Sequence, residues 1–299
     1  MLTIFTTPKK FTGHIGVIQT NAITSWTLLR PKCEVILLGN EPGTEEVARK
    51  LKVRHVREVQ TNEFGTPLVN SLFQTAEKAA SFAILAYVNS DIILMADLLS
   101  IFNHMNLRKF LLVGRRWNVW IREYIDFSSP SWETNLRQYV KRNGSIGPPN
   151  AIDYFVFSKG IWDVLPAYTI GRAGYDNGLL YNAYGRNVPI VNVSGGVLAI
   201  HQNHDYSHHS QGKRGVYSGE EARRNLSFMK GGLEALTIRN ASLILTRFGL
   251  VPALTFGHLR ATLRFFPSRF GKELPWFAKF ANKIGETSLL LKKLEELET

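Results

Sequence analysis

AYVNSDIIL, residues 86–94, is the stretch on which the reading of this chain turns: an apolar run is broken by Asn89, Ser90 and Asp91 and then resumes. A carboxylate in the path of a buried strand is costly without a partner. Either the strand ends here and turns, or the site holds a group that wants an anion. Upstream the chain alternates regularly. TIFTT (3–7) has β-type character, 17–29 carries Val17, Ala22, Trp26 and Leu29 at helical spacing, and CEVILLGN (33–40) is an apolar strand ending in Gly39-Asn40. TEEVARKLK (44–52) reads as a helix with Thr44 as N-cap, RHVREV (54–59) as a strand, and PLVNSLFQTAEKAA (67–80) as a helix with Pro67 in its first turn. AILAYV (83–88) is then the fourth strand, and it delivers Asn89-Ser90-Asp91. Such alternation predicts an α/β fold: a mainly parallel sheet covered by helices on both faces, with ligands at the C-terminal ends of the strands.

Downstream the pattern loosens. KFLLVGRRW (109–117) is a strand with a basic, aromatic exit, and 118–150 is long and polar with Trp120, Trp132 and Tyr139 interspersed, as in a lid or a loop containing short helices. AIDYFVFSKGIW (151–162) is another strand, AGYDNGLLYNAYGRN (173–187) a loop entering a helix, and 188–209 one or two strands ending in histidines. From about residue 218 the propensity is helical, and 250–284 mixes aromatics with Arg and Lys.

Composition bounds the function. The 299 residues are 44% hydrophobic and 20% charged, enough for a full core, and a formal charge of +12 points to an anionic partner. No DNA- or RNA-binding motif is present and the basic residues cluster late, which argues against nucleic acid. The single cysteine, Cys33, precludes an intrachain disulfide or a Cys-based zinc site. The N-terminus does not read as a signal peptide, and nowhere do about 18 apolar residues run uncharged. The expectation is a cytoplasmic protein; the aromatics of 250–284 either close the bottom of the catalytic domain with the cations facing water, or make 250–284 a contact to the inner membrane surface, aromatics down and cations at the headgroups.

An Asp-containing turn at the end of a fourth parallel strand resembles the Asp-x-Asp motif of the GT-A glycosyltransferases, here with Asn89 in the first place. Over roughly 2–210 the chain is similar to bacterial family 2-like members in the order of its pieces: TIFTTPKKF, EVILLGNE, NEFGTPLVNSLFQTA, YVNSDI, GRRW, GYDNGLL and IHQNHDYSH. The resemblance implies a GT-A catalytic domain over 1–217, its nucleotide-sugar half 1–95 and its acceptor half 96–217, with a helical C-terminal extension over 218–299. It implies a metal-dependent, inverting transfer from a nucleotide-sugar, a UDP-sugar, to a glycan or lipid-linked acceptor. Donor contacts fall on Thr7, Pro8, Asn40, Glu41, Gly65, Asn70, Asn89 and Ser90, although the Arg usual before that Asn is Val69. Asp91 is the implied metal ligand, because a hard cation must lie between a carboxylate and two phosphates. His201 or His204 supplies the second ligand, and an imidazole donor favours Mn²⁺ over Mg²⁺.

Four of the eight histidines, His201, His204, His208 and His209, lie within nine positions, which packing alone does not explain. A zinc site made by this cluster is the rival reading. Asp176 falls where inverting enzymes of this fold keep the carboxylate that takes the acceptor's proton; as a plain helix cap it would also make sense. Asp153, Arg115 and Arg116 are candidate acceptor contacts. A sugar nucleotidyltransferase would need a Gly-rich basic loop after the first strand, which TTPKKFTGHIG matches only faintly. A catalytically lapsed GT-A domain acting as a nucleotide or glycan binding module is the alternative that Asn89 raises.

Overall fold

The computed structural model describes residues 1–205, 211–229, 235–270 and Trp276, with side chains through residue 263 and at Trp276. The strands are β1 (Leu2–Thr6), β2 (Glu34–Leu38), β3 (Arg54–Val56), β4 (Ile84–Val88), β5 (Ile92–Ile93), β6 (Leu111–Val113), β7 (Arg116–Val119), β8 (Ser145–Ile146), β9 (Tyr154–Ser158), β10 (Ile190–Asn192), β11 (Ala199–Gln202), β12 (Leu243–Thr246) and β13 (Gly249–Pro252). The helices are α1 (Gly13–Thr27), α2 (Thr44–Leu51), α3 (Val69–Ala79), α4 (Asp97–Ser100), α5 (Trp132–Asn143), α6 (Tyr175–Gly185), α7 (Gly212–Ser218), α8 (Glu220–Ser227) and α9 (Phe256–Phe270).

Nine strands form the main sheet in the order β13-β12-β10-β6-β9-β4-β1-β2-β3. β3, β2, β1 and β4 run parallel, as do β6, β10 and β12, while β9 is antiparallel to both of its neighbours. The central strands β1, β2, β4, β6 and β9 are mostly apolar and buried because both faces are covered, and alternation assigns each residue to a side, whereas the edge strands β3 and β13 are partly exposed. Phe5, Leu85, Tyr87, Phe155 and Phe157 pack with α3 and α6 through Leu72, Phe73, Leu179 and Leu180. Ile4, Ala86, Val88, Tyr154 and Val156 pack on the other face with Ala22, Ile23 and Trp26 of α1.

A second sheet, β5-β11-β7-β8, stands at the C-terminal end of β4. Asn89, Ser90 and Asp91 are the link by which the chain leaves one sheet and enters the other. Trp26 Nε1 donates to Ile92 O at 2.9 Å and holds the newly entered strand against α1.

Three expectations change. Thr44 is the first residue of α2, and the cap is Gly43 at φ +91°, where its Cβ-free backbone passes Phe11. Pro67 lies before α3 and forms an isolated bridge to Thr61. The segment after 218 is not a purely helical layer: β12 pairs in parallel with β10, and β13 pairs with β12, so the extension completes the main sheet. A run of Leu and Ile beside an open strand edge takes the edge, whatever its helical propensity. Phe265, Phe266, Phe270, Arg264 and Arg269 have side chains outside the described set, and of 271–284 only Trp276 is described. No described helix is long and apolar enough to cross a membrane.

Candidate active site

The site forms where the two sheets meet. β11 runs antiparallel to β5 with His201 opposite Ile92, which sets it beside the preceding residue, Asp91. Gln202 fixes the register, its backbone N–H donating to Asp91 O at 3.2 Å and its Nε2 to Asp91 O at 3.1 Å and Ile18 O at 2.7 Å. Asp91 Oδ2 thereby lies 3.2 Å from His204 Nε2 and 3.8 Å from His201 Nε2, and one donor atom from each of the three residues lies within 4.8 Å of the others. His208 and His209 lie outside the described residues.

A carboxylate and two imidazoles at this spacing fit a divalent cation. Asp91 Oδ1 and His201 Nδ1 are both buried without a hydrogen-bond partner, and an orphaned buried acceptor beside an imidazole pair is costly unless a ligand completes it. Burial would raise the Asp91 carboxyl, but His201, His204 and Lys9 outweigh it and hold the group well below the usual carboxylate range. His201 is pushed down by its burial, which favours the neutral, ligating imidazole. His204 is drawn up, its burial outweighed by the bond to Asp91.

Asn89 lies at the cleft, and its side chain is engaged by the protein. Its Oδ1 accepts from Tyr87 Oη and Tyr175 Oη, each at 2.9 Å, and its Nδ2 donates to Asp153 Oδ1 at 2.7 Å. Asp153 in turn takes Arg116 Nη1 at 2.5 Å, and Arg115 donates from Nε and Nη2 to Gly147 O. The candidate acceptor contacts Asp153, Arg115 and Arg116 are thus engaged with the protein itself; Asp153, paired with Arg116, braces Asn89 of the link, and Arg115 ties to the Gly147 loop.

Above that floor opens a cleft of about 830 Å³, within the range of small-molecule sites. Thr7, Pro8, Glu41, Gly65, Asn89, Ser90 and Asp91 line it, as the sequence suggested; Asn40 and Asn70 do not. Asn40 is exposed at the end of β2, and Asn70 has a buried Oδ1 without a partner in the first turn of α3. Lys9, His14, Trp120 and Arg172 also line the cleft and were missed. Lys9 was legible only as part of a basic N-terminal stretch. Its placement depends on Gln19, which accepts Lys9 N at 2.6 Å, returns Nε2 to Lys9 O at 2.8 Å and also accepts Ser90 Oγ at 2.8 Å. The indole of Trp120 stacks on the His14 ring with an interplanar angle of 24°.

Asp176 lies in the first turn of α6, after Gly174 at φ +93°. It does not line the cleft; its carboxyl is buried and accepts from the backbone of Asn177 and Ile152, while the preceding residue, Tyr175, bonds Asn89. Burial pushes its carboxyl up to about 7, partly offset by the backbone N–H of Asn177 and reinforced by the negative charge of Asp153.

No family model and no curated protein matches the chain. Solved structures do. S. aureus TarS, residues 1–349, in complex with UDP-GlcNAc, is 13% identical, covers 98% of this chain and 83% of its own, and superposes with a TM-score of 0.50. Glucosyl-3-phosphoglycerate synthase from Mycobacterium tuberculosis, in complex with Mn²⁺, UDP-glucose and phosphoglyceric acid, is 15% identical over 78% of this chain and 80% of its own, with a TM-score of 0.45. The central, mostly parallel sheet flanked by helices is the GT-A fold.

Proposed function

We propose that the protein is a divalent-cation-dependent glycosyltransferase that takes a nucleotide-sugar donor, a UDP-sugar, and transfers the sugar with inversion to a hydroxyl of a glycan or lipid-linked acceptor. The observation that carries the reading is the meeting of Asp91, which lines the cleft, with His201 and His204 behind it. The UDP-GlcNAc bound by TarS supports the choice of base. Asp91, His201 and His204 would hold the cation, which supplies charge neutralisation for the departing diphosphate. Two imidazoles in the donor set favour Mn²⁺ over Mg²⁺.

The remaining roles belong to the chain's own groups. Glu41 and the Gly65 loop bound the nucleoside end of the cleft, and Ser90, fixed by Gln19, shapes the turn that presents Asp91. Asp153 is held as an ion pair with Arg116. Asp176, with its carboxyl near 7, is the group suited to take the acceptor proton: paired carboxylates whose environments differ divide acid and base work in this way. That role requires the acceptor hydroxyl to reach the Asp176 carboxyl, which is buried and off the lining of the cleft. Asn89 is no sign of lost activity, since its amide is needed where an Asp would repel Asp153.

The test is a thermal-shift panel of nucleoside diphosphates with and without Mn²⁺. One nucleotide should raise the melting temperature only when the metal is present, by the mass-action stabilisation that ligand binding brings. Equal shifts with and without metal, or none for any nucleotide, would reject the reading.

A further inference from the structure

The cleft's outer wall is held by an element that the sequence placed outside the catalytic domain. Glu221, on α8, is buried, with 6% of its surface exposed. Its Oε1 accepts Asn62 Nδ2 at 2.6 Å and its Oε2 accepts Arg172 Nε at 2.6 Å. One turn along the same helix, Asn225 is fully buried. It accepts Thr169 N at 2.7 Å and donates to Thr169 O at 3.0 Å and to Arg172 O and Ala173 O at 3.3 Å each. Positions i and i+4 share a helix face, so Asn225 grips the backbone of the 169–173 loop while Glu221 grips its side chain.

The loop that carries Gly65 is held by the same helix. Asn62 receives Phe64 N and Thr66 N on its Oδ1, and Thr66 Oγ1 accepts Arg172 Nη2 at 3.3 Å. Arg172 therefore bridges the two loops, and its side chain is only 13% exposed. A buried ion pair is a poor source of net stability. What it does supply is position, and the position here is the wall of the cleft, shared with Lys9.

Resting on the reading of the cleft as a nucleotide-sugar site, we infer that Arg172 is a phosphate-binding residue of that site and that Glu221, from α8, is the residue that positions it. Arg172 and Lys9 line the same cleft, together with Asp91. Two cations brought together in a partly desolvated cleft, with a metal-ligand set beside one of them, are complementary to a group bearing more than one negative charge. The guanidinium is held through Nε to Glu221, Nη2 to Thr66 Oγ1 and Nη1 to Gly171 O at 3.3 Å, and each Nη keeps a second N–H that can reach phosphate oxygens.

The experiment measures binding of UDP, uridine and inorganic pyrophosphate, each with Mn²⁺, by calorimetry. The proteins are the full chain and its Arg172→Gln, Arg172→Lys and Glu221→Gln variants. Arg172→Gln should weaken UDP and pyrophosphate by roughly tenfold or more, the worth of a charged hydrogen bond, and leave uridine unchanged. Arg172→Lys should recover part of the loss, and Glu221→Gln should repeat the pattern several-fold more weakly. UDP binding at full strength in Arg172→Gln overturns the inference alone. So does equal weakening of uridine and UDP, which would mean that the loops had merely loosened. Normal UDP binding with an anionic acceptor's KM raised instead would move Arg172 to the acceptor and also overturn it. Failure of the unmodified chain to bind UDP with Mn²⁺ overturns the donor reading together with this one.

Discussion

Asn89 Nδ2 lies 2.7 Å from Asp153 Oδ1, and the backbone pairs the same two residues, Asn89 N donating to Asp153 O at 2.9 Å. The amide side chain is the one type that serves here. It donates to a carboxylate on one side and accepts from two tyrosine hydroxyls on the other. Asn89→Asp, which would restore the Asp-x-Asp pattern, should therefore harm the protein. It sets a second carboxylate against Asp153 and removes the donor. A loss of about 2–4 kcal/mol in chemical denaturation at neutral pH is expected, with Mn²⁺ affinity no better than in the unmodified chain. Tighter metal binding in Asn89→Asp would show that the position faces the cation after all.

For the metal site, Mn²⁺ binding followed by electron paramagnetic resonance should separate the three groups. Asp91→Asn keeps the shape and removes the charge, and should abolish the bound-ion signal. His201→Ala and His204→Ala should each weaken binding by roughly tenfold or more. Retained binding in both histidine variants would leave Asp91 as the only protein ligand and put the cluster's role elsewhere.

Much of this was legible in the residues and some was not. β1, β2 and β4, and the break at 89–91, follow from apolar runs punctuated by Gly, Asn and Asp, because a buried parallel strand must be largely apolar and must end in polar residues; β3, at the sheet's edge, is polar and partly exposed, and the strand expected over 54–59 ends at Val56. The pairing of Asp91 with His201 and His204 was expected only through resemblance; what enforces it is the register of β5 on β11, a long-range pairing with no local signature. Arg172, Lys9 and Glu221 escaped notice because each is placed by a partner distant in sequence: Arg172 by Glu221, and Lys9 by Gln19, which also holds Ser90. The strands β12 and β13 were misread because the short runs LILT and GLVP fit a helix or a strand equally until an open edge decides.

Asp176→Asn tests the general base. Donor binding should survive and turnover should fall by roughly a hundredfold or more. In the unmodified enzyme, kcat should rise with pH along a limb near 7, where the carboxyl loses its proton. The sign for stability is opposite. A carboxyl whose folded pKa stands above its unfolded value of about 3.9 favours the fold while protonated, so its contribution is complete below that value and is lost as pH climbs through about 7. Asp176→Asn should gain stability relative to the unmodified chain at pH 8 and lose that advantage at pH 4. A pH-independent difference between the two would return Asp176 to the role of a helix cap.

Cys33 is 5% exposed in the core beside α1, and burial pushes its thiol up to about 11. A thiol that is neither accessible nor ionised is inert. In the native protein an aromatic disulfide reagent should titrate essentially none of it, and one equivalent should appear on unfolding in denaturant. Rapid reaction under native conditions would mean that the edge of the sheet near β2 opens locally.

The last prediction concerns where the catalytic unit ends. Division at 217 would leave out Leu236, Ile238, Ala241 and Ala261, which are buried in the same cluster as Leu179, Leu180 and Tyr184 of α6. It would also remove β12, whose Leu243 and Ile244 pair with Val191 and Asn192, and so bare the edge of a strand that is otherwise covered. An uncovered apolar edge invites pairing with other chains, and α6 would lose the packing that holds Asp176 at its N-terminus. A chain of residues 1–217 should therefore be recovered as aggregate, or as a species without a cooperative urea transition, whereas 1–270 should unfold in one step. Size-exclusion chromatography with urea unfolding distinguishes the outcomes: a monomeric 1–217 chain with a sharp transition would show that the extension is dispensable to the fold, and would leave the hold of α8 on Arg172 as its one link to the cleft.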